Sequence, residues 1–384
     1  MFDYLVVGTG LCGAITARWL AEDKGAKVLL YEKRPHIAGN IYDYYDENGI
    51  LVQKYGPHIF HTNLKRVEEY VKKWGEWKAY YLECSVYMNG KYTPSPFNFS
   101  TIDDYFTEEK AKEIKKHIHL EYKGANKATI TQMLNSKDKI VKGYAEFLYK
   151  HDYSLYTAKQ WGISPDEIDK SVLQRVPVLF SYKTGYFDDD FQAMPEGGFT
   201  NMIQKILDHQ NIEIRLNVNA AEKIHLDIKK EKAFVDGLGE IPIIYTGPLD
   251  ELFAYKYGRL PYRSLRFEWK TLDLDSYQKT PVVAYPQAEG YTRITEYRKL
   301  PLQHIVGKTT IAIEYPLQAE GEEDVEPYYP IPAEKSNEQY MKYRTMADNF
   351  HNLYLCGRLA EYKYYNMDQA VNRALGLCDK LQAQ

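Results

Sequence analysis

A glycine-rich turn near the amino terminus constrains the fold of this chain more than any other feature. The sequence GTGLCG at residues 8–13 follows an apolar run from Phe2 to Val7, which predicts a strand. It precedes a run from Ala14 to Ala21, which predicts a helix. Lys27 to Tyr31 predicts a second strand, and Glu32 follows it directly. This order of strand, turn, helix and strand indicates a Rossmann-type dinucleotide-binding unit.

The glycines and the acid have separate physical roles in such a unit. Gly8 permits the tight turn, Gly10 lets the backbone approach a pyrophosphate, and Gly13 lets the helix pack closely on the strand. The amino terminus of that helix stabilises phosphate charge. Glu32 can accept hydrogen bonds from the adenosine ribose, and its charge disfavours a 2′-phosphate. We therefore expect a dinucleotide without that phosphate.

The carboxyl terminus offers a second contact for the same cofactor. Leu353 to Cys356 predicts a strand, Gly357 and Arg358 follow it, and a closing helix is predicted from about Asp368 to Leu381. A nucleotide-binding domain built from both ends of the chain suits an extended cofactor. The sequence therefore predicts FAD rather than NAD.

Charge and hydropathy exclude two classes of partner. The chain has 384 residues and a net charge of −4, so it has no basic field for nucleic acid, and an anionic ligand must be bound by local arginines. No apolar run approaches the ~18–20 residues that span a bilayer. Because the first strand begins at once, there is no room for a signal peptide. We expect a cytoplasmic protein without nucleic-acid or membrane partners, whose four cysteines stay reduced.

The middle of the chain predicts two further units. From Thr107 to about Tyr149, Lys, Glu and Ile recur at helical spacing, which predicts a helical insertion. Short β-type runs between about 262 and 315 predict an antiparallel sheet. Pro94-Ser95-Pro96 predicts a break at a domain crossing, Ser164-Pro165-Asp166-Glu167 predicts a helix start, and Thr200 is predicted to cap a helix that ends near Asp208.

These patterns predict an α/β fold with a Rossmann-type FAD-binding domain, an inserted helical domain and an antiparallel β-sheet domain. The predicted FAD-binding domain comprises residues 1–80, 195–250 and 335–384. The helical domain, with substrate-binding and dimerisation roles, is predicted at 100–170, and the sheet domain at 81–99, 181–194 and 251–334.

Eight motifs resemble the UDP-galactopyranose mutase family over almost the whole chain, and they occur in the order of that family. They are GTGLCG at 8–13, YGPHIFHT at 55–62, YTAKQWG at 156–162, GYFDDDFQAMPEGGFT at 185–200, TGPLDELF at 246–253, YTRITE at 291–296, YYPI at 328–331 and GRLAEYKYYNMDQA at 357–370. The resemblance implies a cytoplasmic FAD-dependent isomerase that acts as a homodimer. It would interconvert UDP-galactopyranose and UDP-galactofuranose for a surface polysaccharide. In the mechanism that the resemblance implies, N5 of the reduced flavin would attack the sugar anomeric carbon and displace UDP. The sugar ring would open through a flavin iminium and reclose, and UDP would then return to the anomeric carbon.

The resemblance also implies roles for individual residues. Arg175 and Arg293 would stabilise charge on the departing diphosphate, Arg175 from a mobile lid at 167–180, and His61 would act beside the flavin. The implied substrate contacts are Tyr156, which stacks on uracil, Trp161 and Phe187 around that base, and Arg175, Tyr186, Arg293, Tyr329 and Tyr364 at the diphosphate. The predicted cofactor contacts are Gly8, Thr9, Gly10, Leu11, Gly13, Glu32, Lys33, Gly39, Asn40, His58, Ile59, Val218, Gly357, Arg358, Asn366 and Met367.

Several alternatives remain at this point. The H-x-x-H pair of His58 and His61 has no carboxylate or cysteine at ligand spacing, so no metal site is predicted. Ala284 stands where the family commonly has Asn, and Asn366 where many relatives have Asp, which leaves substrate preference open. A flavin oxidoreductase of the amine-oxidase type shares the dinucleotide module. So does a non-enzymatic binding module that resembles prenyl-GTPase escort proteins.

Overall fold

The computed structural model describes residues 1–161, 176–318, 326–331 and 333–383. In the first of these ranges the strands are β1 (Tyr4–Val7), β2 (Val28–Tyr31), β3 (Asp43–Tyr45), β4 (Leu51–Gln53), β5 (Phe60–Thr62), β6 (Trp77–Ala79), β7 (Cys84–Met88), β8 (Lys91–Ser95) and β9 (Lys127–Ala128). The helices there are α1 (Leu11–Glu22), α2 (Lys65–Lys72), α3 (Phe99–Tyr105), α4 (Glu108–Glu121), α5 (Ile130–Leu134), α6 (Lys139–Leu148) and α7 (Ser154–Trp161).

The later ranges continue both series. Their strands are β10 (Val178–Leu179), β11 (Phe191–Pro195), β12 (Ile212–Arg215), β13 (Ile224–Asp227), β14 (Lys232–Val235), β15 (Ile243–Tyr245), β16 (Tyr262–Leu272), β17 (Val282–Ala284), β18 (Arg293–Glu296), β19 (Thr309–Gln318), β20 (Tyr329–Pro330) and β21 (Leu353–Leu355). Their helices are α8 (Gly198–Leu207), α9 (Leu249–Leu252), α10 (Glu334–Ala347) and α11 (Met367–Gln382).

A parallel five-stranded sheet joins the two ends of the chain. Its strand order is β12-β2-β1-β15-β21, and each neighbouring pair is parallel. Side chains on both of its faces are buried, as expected for a parallel sheet that is covered on both sides. Helices α1, α8 and α11 pack together on one face. The Rossmann-type fold class predicted from the sequence is therefore confirmed.

The glycines of the first turn allow α1 to start close to the sheet. Gly8 has a φ of +89°, and a methyl group there would lie 2.3 Å from the hydroxyl oxygen of Thr246. A methyl group on Gly13 would lie 1.9 Å from the carbonyl oxygen of Gly8. Because neither position has room for a Cβ atom, only glycine brings the helix amino terminus this near to the end of β1.

A second sheet has seven strands in the order β20-β16-β19-β18-β17-β7-β8. It is antiparallel as predicted except for one pair, because β17 and β7 run parallel. Pro94 lies inside β8 and not at a break; since β8 is an edge strand, a residue without an N–H is tolerated there. The predicted chain break at Pro94 is therefore wrong in position, and α3 begins only at Phe99.

Helices α4, α5 and α6 occupy the stretch that the sequence predicted as helical. With α3 and α7 they enclose a core that contains Ile114, Ile118, Ile130, Val141 and Leu148, each of them buried. The helix start predicted at Ser164 to Glu167 lies outside the described residues. No helix in the described part of the chain is both long and apolar enough to cross a bilayer.

The cap predicted for α8 is wrong. The helix begins at Gly198, and its capping position is Gly197, so Thr200 lies inside the first turn. The carboxylate of Asp43 accepts the backbone N–H groups of Phe199 at 2.6 Å and Thr200 at 2.8 Å. The Thr200 hydroxyl instead donates to the Asp43 carbonyl at 2.8 Å. A carboxylate distant in sequence therefore accepts the N–H groups of the first turn, in place of the predicted local cap.

Candidate active site

A cavity of about 1290 Å³, its open mouth included, lies at the carboxyl ends of β1, β2, β15 and β21. Both Leu11 at the start of α1 and Met367 at the start of α11 line it. Two helix amino termini therefore face one cavity, and their partial positive charges favour an anionic group such as a pyrophosphate.

The predicted cofactor contacts converge on this cavity with two exceptions. Those that line it are Gly8, Gly10, Leu11, Gly13, Glu32, Lys33, Gly39, Asn40, His58, Val218, Gly357, Arg358, Asn366 and Met367. Thr9 and Ile59 are buried and do not line it. A direct cofactor contact from either residue therefore finds no support in the geometry.

Thr9 has a different role, because it orients Glu32. Its backbone N–H and its hydroxyl both donate to Glu32 Oε2, at 2.9 and 2.6 Å. The other oxygen, Oε1, accepts the backbone N–H of Arg34 at 3.0 Å. An ionised carboxylate has about four acceptor positions, so these three donors leave capacity for a ribose hydroxyl.

Arg34 is a cavity residue that the sequence motifs did not reveal. Its Nη2 donates to Asn40 Oδ1 at 2.8 Å and to Glu326 Oε2 at 2.9 Å, and its guanidinium lies 4.3 Å from the ring centre of Tyr55. Glu326 also lines the cavity, as does Thr246, whose hydroxyl donates to the Val7 carbonyl at 2.6 Å. Glu326 and Arg34 are far apart in the chain, so only the fold could identify this pair.

His58 lies in the cavity wall as a neutral imidazole. Its Nδ1 is 2.8 Å from the Gly56 carbonyl oxygen, and because a carbonyl only accepts, Nδ1 carries the proton. Burial lowers the pKa of His58 to about 4, and the nearby charges of Arg358 and Arg293 act in the same direction. The loop is fixed by Gln53, whose amide bonds both the N–H and the carbonyl of His58, at 2.6 and 2.9 Å.

Arg293 stands beside this loop and is held by an acid. Its Nε donates to Glu314 Oε2 at 2.7 Å, across the paired strands β18 and β19. A methyl group on Gly56 would lie 3.7 Å from both Arg293 Nη2 and Glu314 Oε2, an ordinary contact distance, so the loop packs directly against the pair, and the φ of +94° rather than lack of space favours glycine there. Burial alone would lower the pKa of Arg293, but the Glu314 carboxylate raises it, so the guanidinium stays cationic.

Two of the predicted tyrosines, Tyr156 and Tyr329, lie within electrostatic range of Arg293. Burial raises the pKa of the Tyr156 phenol, and Arg293 opposes that rise, which places the two groups within electrostatic reach of each other. Tyr329 stacks on Tyr364 with 5.6 Å between ring centres. The guanidinium of Arg358 lies 4.8 Å from the Tyr329 ring centre and 5.2 Å from that of Tyr364. Two guanidinium groups and three predicted tyrosines therefore lie near one another beside the cavity, and of these five residues Arg358 lines it.

His61 belongs to a second group of predicted residues, on the strand β5. Its ring stacks on Phe187 with 3.7 Å between centres and an angle of 16°, and its Nδ1 lies 2.7 Å from Asp189 Oδ2. Phe187 meets Tyr186 edge-on at 5.0 Å. Tyr186 in turn lies close enough to Tyr156 to add to the rise in its pKa. The two groups of side chains therefore lie within electrostatic range of each other.

Part of the predicted substrate site cannot be compared with the geometry. Arg175 and residues 167–175 of the predicted lid lie outside the described residues, and the side chain of Trp161 does as well. Arg175 and Trp161 therefore remain predictions from the sequence. In the described ranges, no group of three or more His, Cys, Asp or Glu side chains is arranged to hold a metal ion.

Two family models match the sequence. One is described as UDP-galactopyranose mutase and matches residues 152–364, and the other is described as an NAD(P)-binding Rossmann-like domain and matches residues 6–74. The first of these covers more than half of the chain, including Tyr156, Arg293 and the stacked pair Tyr329 and Tyr364. The second covers the glycine turn and Glu32.

Known proteins resemble the chain along its full length. A probable UDP-galactopyranose mutase of Klebsiella pneumoniae is 35% identical, over 98% of this chain and 94% of the relative. A dTDP-fucopyranose mutase of Escherichia coli is also 35% identical, over 98% and 97%. A crystal structure of reduced UDP-galactopyranose mutase has a TM-score of 0.73 at 16% identity and covers all of this chain and 96% of the other, which shows the fold alone. The chain belongs to the UDP-galactopyranose mutase family.

Proposed function

We propose that this protein interconverts UDP-galactopyranose and UDP-galactofuranose. The observation that carries the proposal is the position of Arg293. This guanidinium is held by Glu314 next to the His58 end of a dinucleotide cavity. A cation at that place can stabilise the charge that develops on a departing diphosphate. The reaction class follows from the family and from this juxtaposition.

FAD is the dinucleotide that we propose for the cavity. The fit rests on the two positive-φ glycines Gly8 and Gly357 in the cavity wall, on the two helix amino termini, and on the oriented carboxylate of Glu32. Reduced FAD, when bound, supplies the nucleophile at N5 that displaces UDP from the anomeric carbon. The protein itself then has to bind and orient the cofactor and the nucleotide sugar, and to neutralise the charge on the diphosphate.

The remaining roles belong to side chains of this chain. Tyr156 would stack on the uracil, with Trp161 and Phe187 beside it. The phenol O–H groups of Tyr186, Tyr329 and Tyr364 would donate hydrogen bonds to the diphosphate. Arg175 would add a second cation from the lid. His58 and His61 would border the flavin and the sugar, and His58 would do so as a neutral group because its pKa is about 4. We further propose a cytoplasmic homodimer.

A second nucleotide sugar is a candidate substrate because a relative named dTDP-fucopyranose mutase is as similar to this chain as the relative from Klebsiella pneumoniae. Ala284 is the Cα partner of Arg293 in the adjoining strand, so an alanine and not an asparagine stands beside Arg293 in the sheet. Substrate preference is therefore decided by comparing kcat/KM for UDP-galactofuranose and dTDP-fucofuranose. A higher value for the uridine nucleotide supports the proposal, and a higher value for the thymidine nucleotide contradicts it.

The cofactor and the reaction class have their own test. The purified protein should show a flavin absorbance spectrum, and the cofactor released by denaturation should co-elute with FAD on chromatography. An oxidoreductase of the amine-oxidase type would instead consume oxygen with an amine substrate. Oxygen uptake with an amine and no change in any nucleotide sugar would favour that alternative. A purified protein that contains no flavin would favour the second alternative, a non-enzymatic binding module on the same fold.

A further inference from the structure

Lys159 makes a contact that the proposed reaction does not use. Its ammonium group donates to three backbone carbonyl oxygens, those of Tyr285 at 2.6 Å, Ala288 at 2.8 Å and Tyr291 at 2.7 Å. An ammonium group has three N–H donors, and each finds one acceptor. Since the hydrogen bonds to a charged donor are the stronger kind, this contact fixes the three carbonyls relative to the lysine.

The three carbonyls belong to one connection, residues 285–292, which joins β17 to β18. The connection is closed at its base by a hydrogen bond from the Tyr285 N–H to the Thr292 carbonyl, at 2.8 Å. The residues on either side of it, Ala284 and Arg293, are Cα partners in the sheet. The position of the connection therefore determines where the strand that carries Arg293 begins.

The lysine itself stands on a different unit of the fold. It lies in α7, one helical turn after Tyr156, so the two side chains project from the same side of the helix. The helix packs against β19, the strand that supplies Glu314. One ammonium group thus links the helix that carries Tyr156 to the strand that carries Arg293.

We infer that Lys159 is a positioning residue, which sets the separation between Tyr156 and Arg293 so that one nucleotide diphosphate engages both. This inference rests on the proposed function, in which the base stacks on Tyr156 and the diphosphate meets Arg293. A ligand that spans two groups gains affinity only when both are at the right distance. A ligand that meets one of them is insensitive to that distance.

The test compares a spanning ligand with its fragments on the flavin-loaded protein. The affinities of UDP, uridine and inorganic pyrophosphate are measured for the wild type, Lys159→Met and Lys159→Arg by ligand-observed NMR and calorimetry. Lys142→Met is the matched control, because Lys142 is an exposed lysine of α6 whose nearest carboxylate, Glu146, is 4.0 Å away.

We expect Lys159→Met to weaken UDP binding by about 10-fold or more, in line with the effect of misplacement on spanning contacts. The fragments should change by less than about twofold, because each meets one group only. KM should rise more than kcat falls. Lys159→Arg should show a smaller loss with the same pattern, because a planar guanidinium keeps the charge but cannot donate from one nitrogen atom to three separate carbonyl oxygens as an ammonium does. If Lys159→Met does not fold, the same comparison of UDP with its fragments is made with Lys159→Arg alone.

Equal UDP affinity in the wild type and both variants would overturn the inference. So would losses for uridine or pyrophosphate as large as the loss for UDP, because these would indicate general damage to the fold. A wild-type protein that binds flavin but not UDP would instead remove the proposed function, and the inference with it.

Discussion

Arg293 and Glu314 form a charged hydrogen bond of 2.7 Å across two strands, and they differ in exposure. The Glu314 side chain is 4% exposed, while that of Arg293 is 24% exposed. The carboxylate is therefore the buried anchor, and the guanidinium has N–H groups left over for another anion. A diphosphate that reaches Arg293 meets a donor whose direction is already set.

Glu314→Ala should lower the free energy of unfolding by about 3 kcal/mol, because it leaves a largely buried cation without its partner. The double variant Arg293→Met, Glu314→Leu should recover most of that stability, since no uncompensated charge remains. Urea denaturation measures both values. Both variants should lose UDP binding, so stability and binding separate in the double variant. A double variant as unstable as Glu314→Ala, or one that binds UDP normally, would contradict this account.

Gly13→Ala should prevent flavin incorporation and lower the free energy of unfolding by at least about 2 kcal/mol. The reason is steric, because the new methyl group would lie 1.9 Å from the Gly8 carbonyl oxygen. Gly143→Ala is the control, because Gly143 lies in α6 with nothing within 4 Å of an added methyl group. That variant should keep its flavin and gain up to about 1 kcal/mol of stability. Flavin absorbance per chain and urea denaturation report both outcomes.

The low pKa of His58 predicts a loss of stability in mild acid. In the unfolded chain His58 takes up a proton near pH 6.5, but in the folded protein it does so only near pH 4, because burial disfavours the charged ring. The unfolded state therefore binds more protons between these two values, and stability falls as the pH falls through them, by up to about 3 kcal/mol from this group. His58→Gln should lack this contribution. The difference in unfolding free energy between wild type and variant should therefore shrink from pH 6.5 to pH 4, and two parallel curves would refute the prediction.

Local chemistry made the dinucleotide unit predictable. The turn from Gly8 to Gly13, the strands on either side and Glu32 all lie within one short segment, where spacing and backbone freedom determine the structure. The antiparallel sheet was predicted for the same reason, from short runs of β-type residues. The parallel pairing of β17 with β7 was not, because strand direction is decided by the path of the chain between strands distant in sequence.

Contacts between distant residues explain what the sequence did not reveal. Thr9 lies inside the cofactor motif, yet its hydroxyl donates to Glu32 and does not face the cavity. The spacing of the motif alone does not indicate this hydrogen bond. The partner of Arg34 is Glu326, from the far end of the chain. Lys159 lies within a recognised motif, but its three carbonyl partners are set by the turn of a loop more than a hundred residues away.

The most direct test of the central claim is conversion of UDP-galactofuranose by the flavin-loaded protein, followed by chromatography of the nucleotide sugars. The dithionite-reduced wild type should form UDP-galactopyranose at a rate far above that of the oxidised protein. Reduced Arg293→Ala, with the same flavin content, should be slower than the reduced wild type by roughly 100-fold or more, as expected for the loss of a donor to developing charge. If the reduced, flavin-replete wild type forms no UDP-galactopyranose, or if Arg293→Ala turns over at the wild-type rate, the account is wrong.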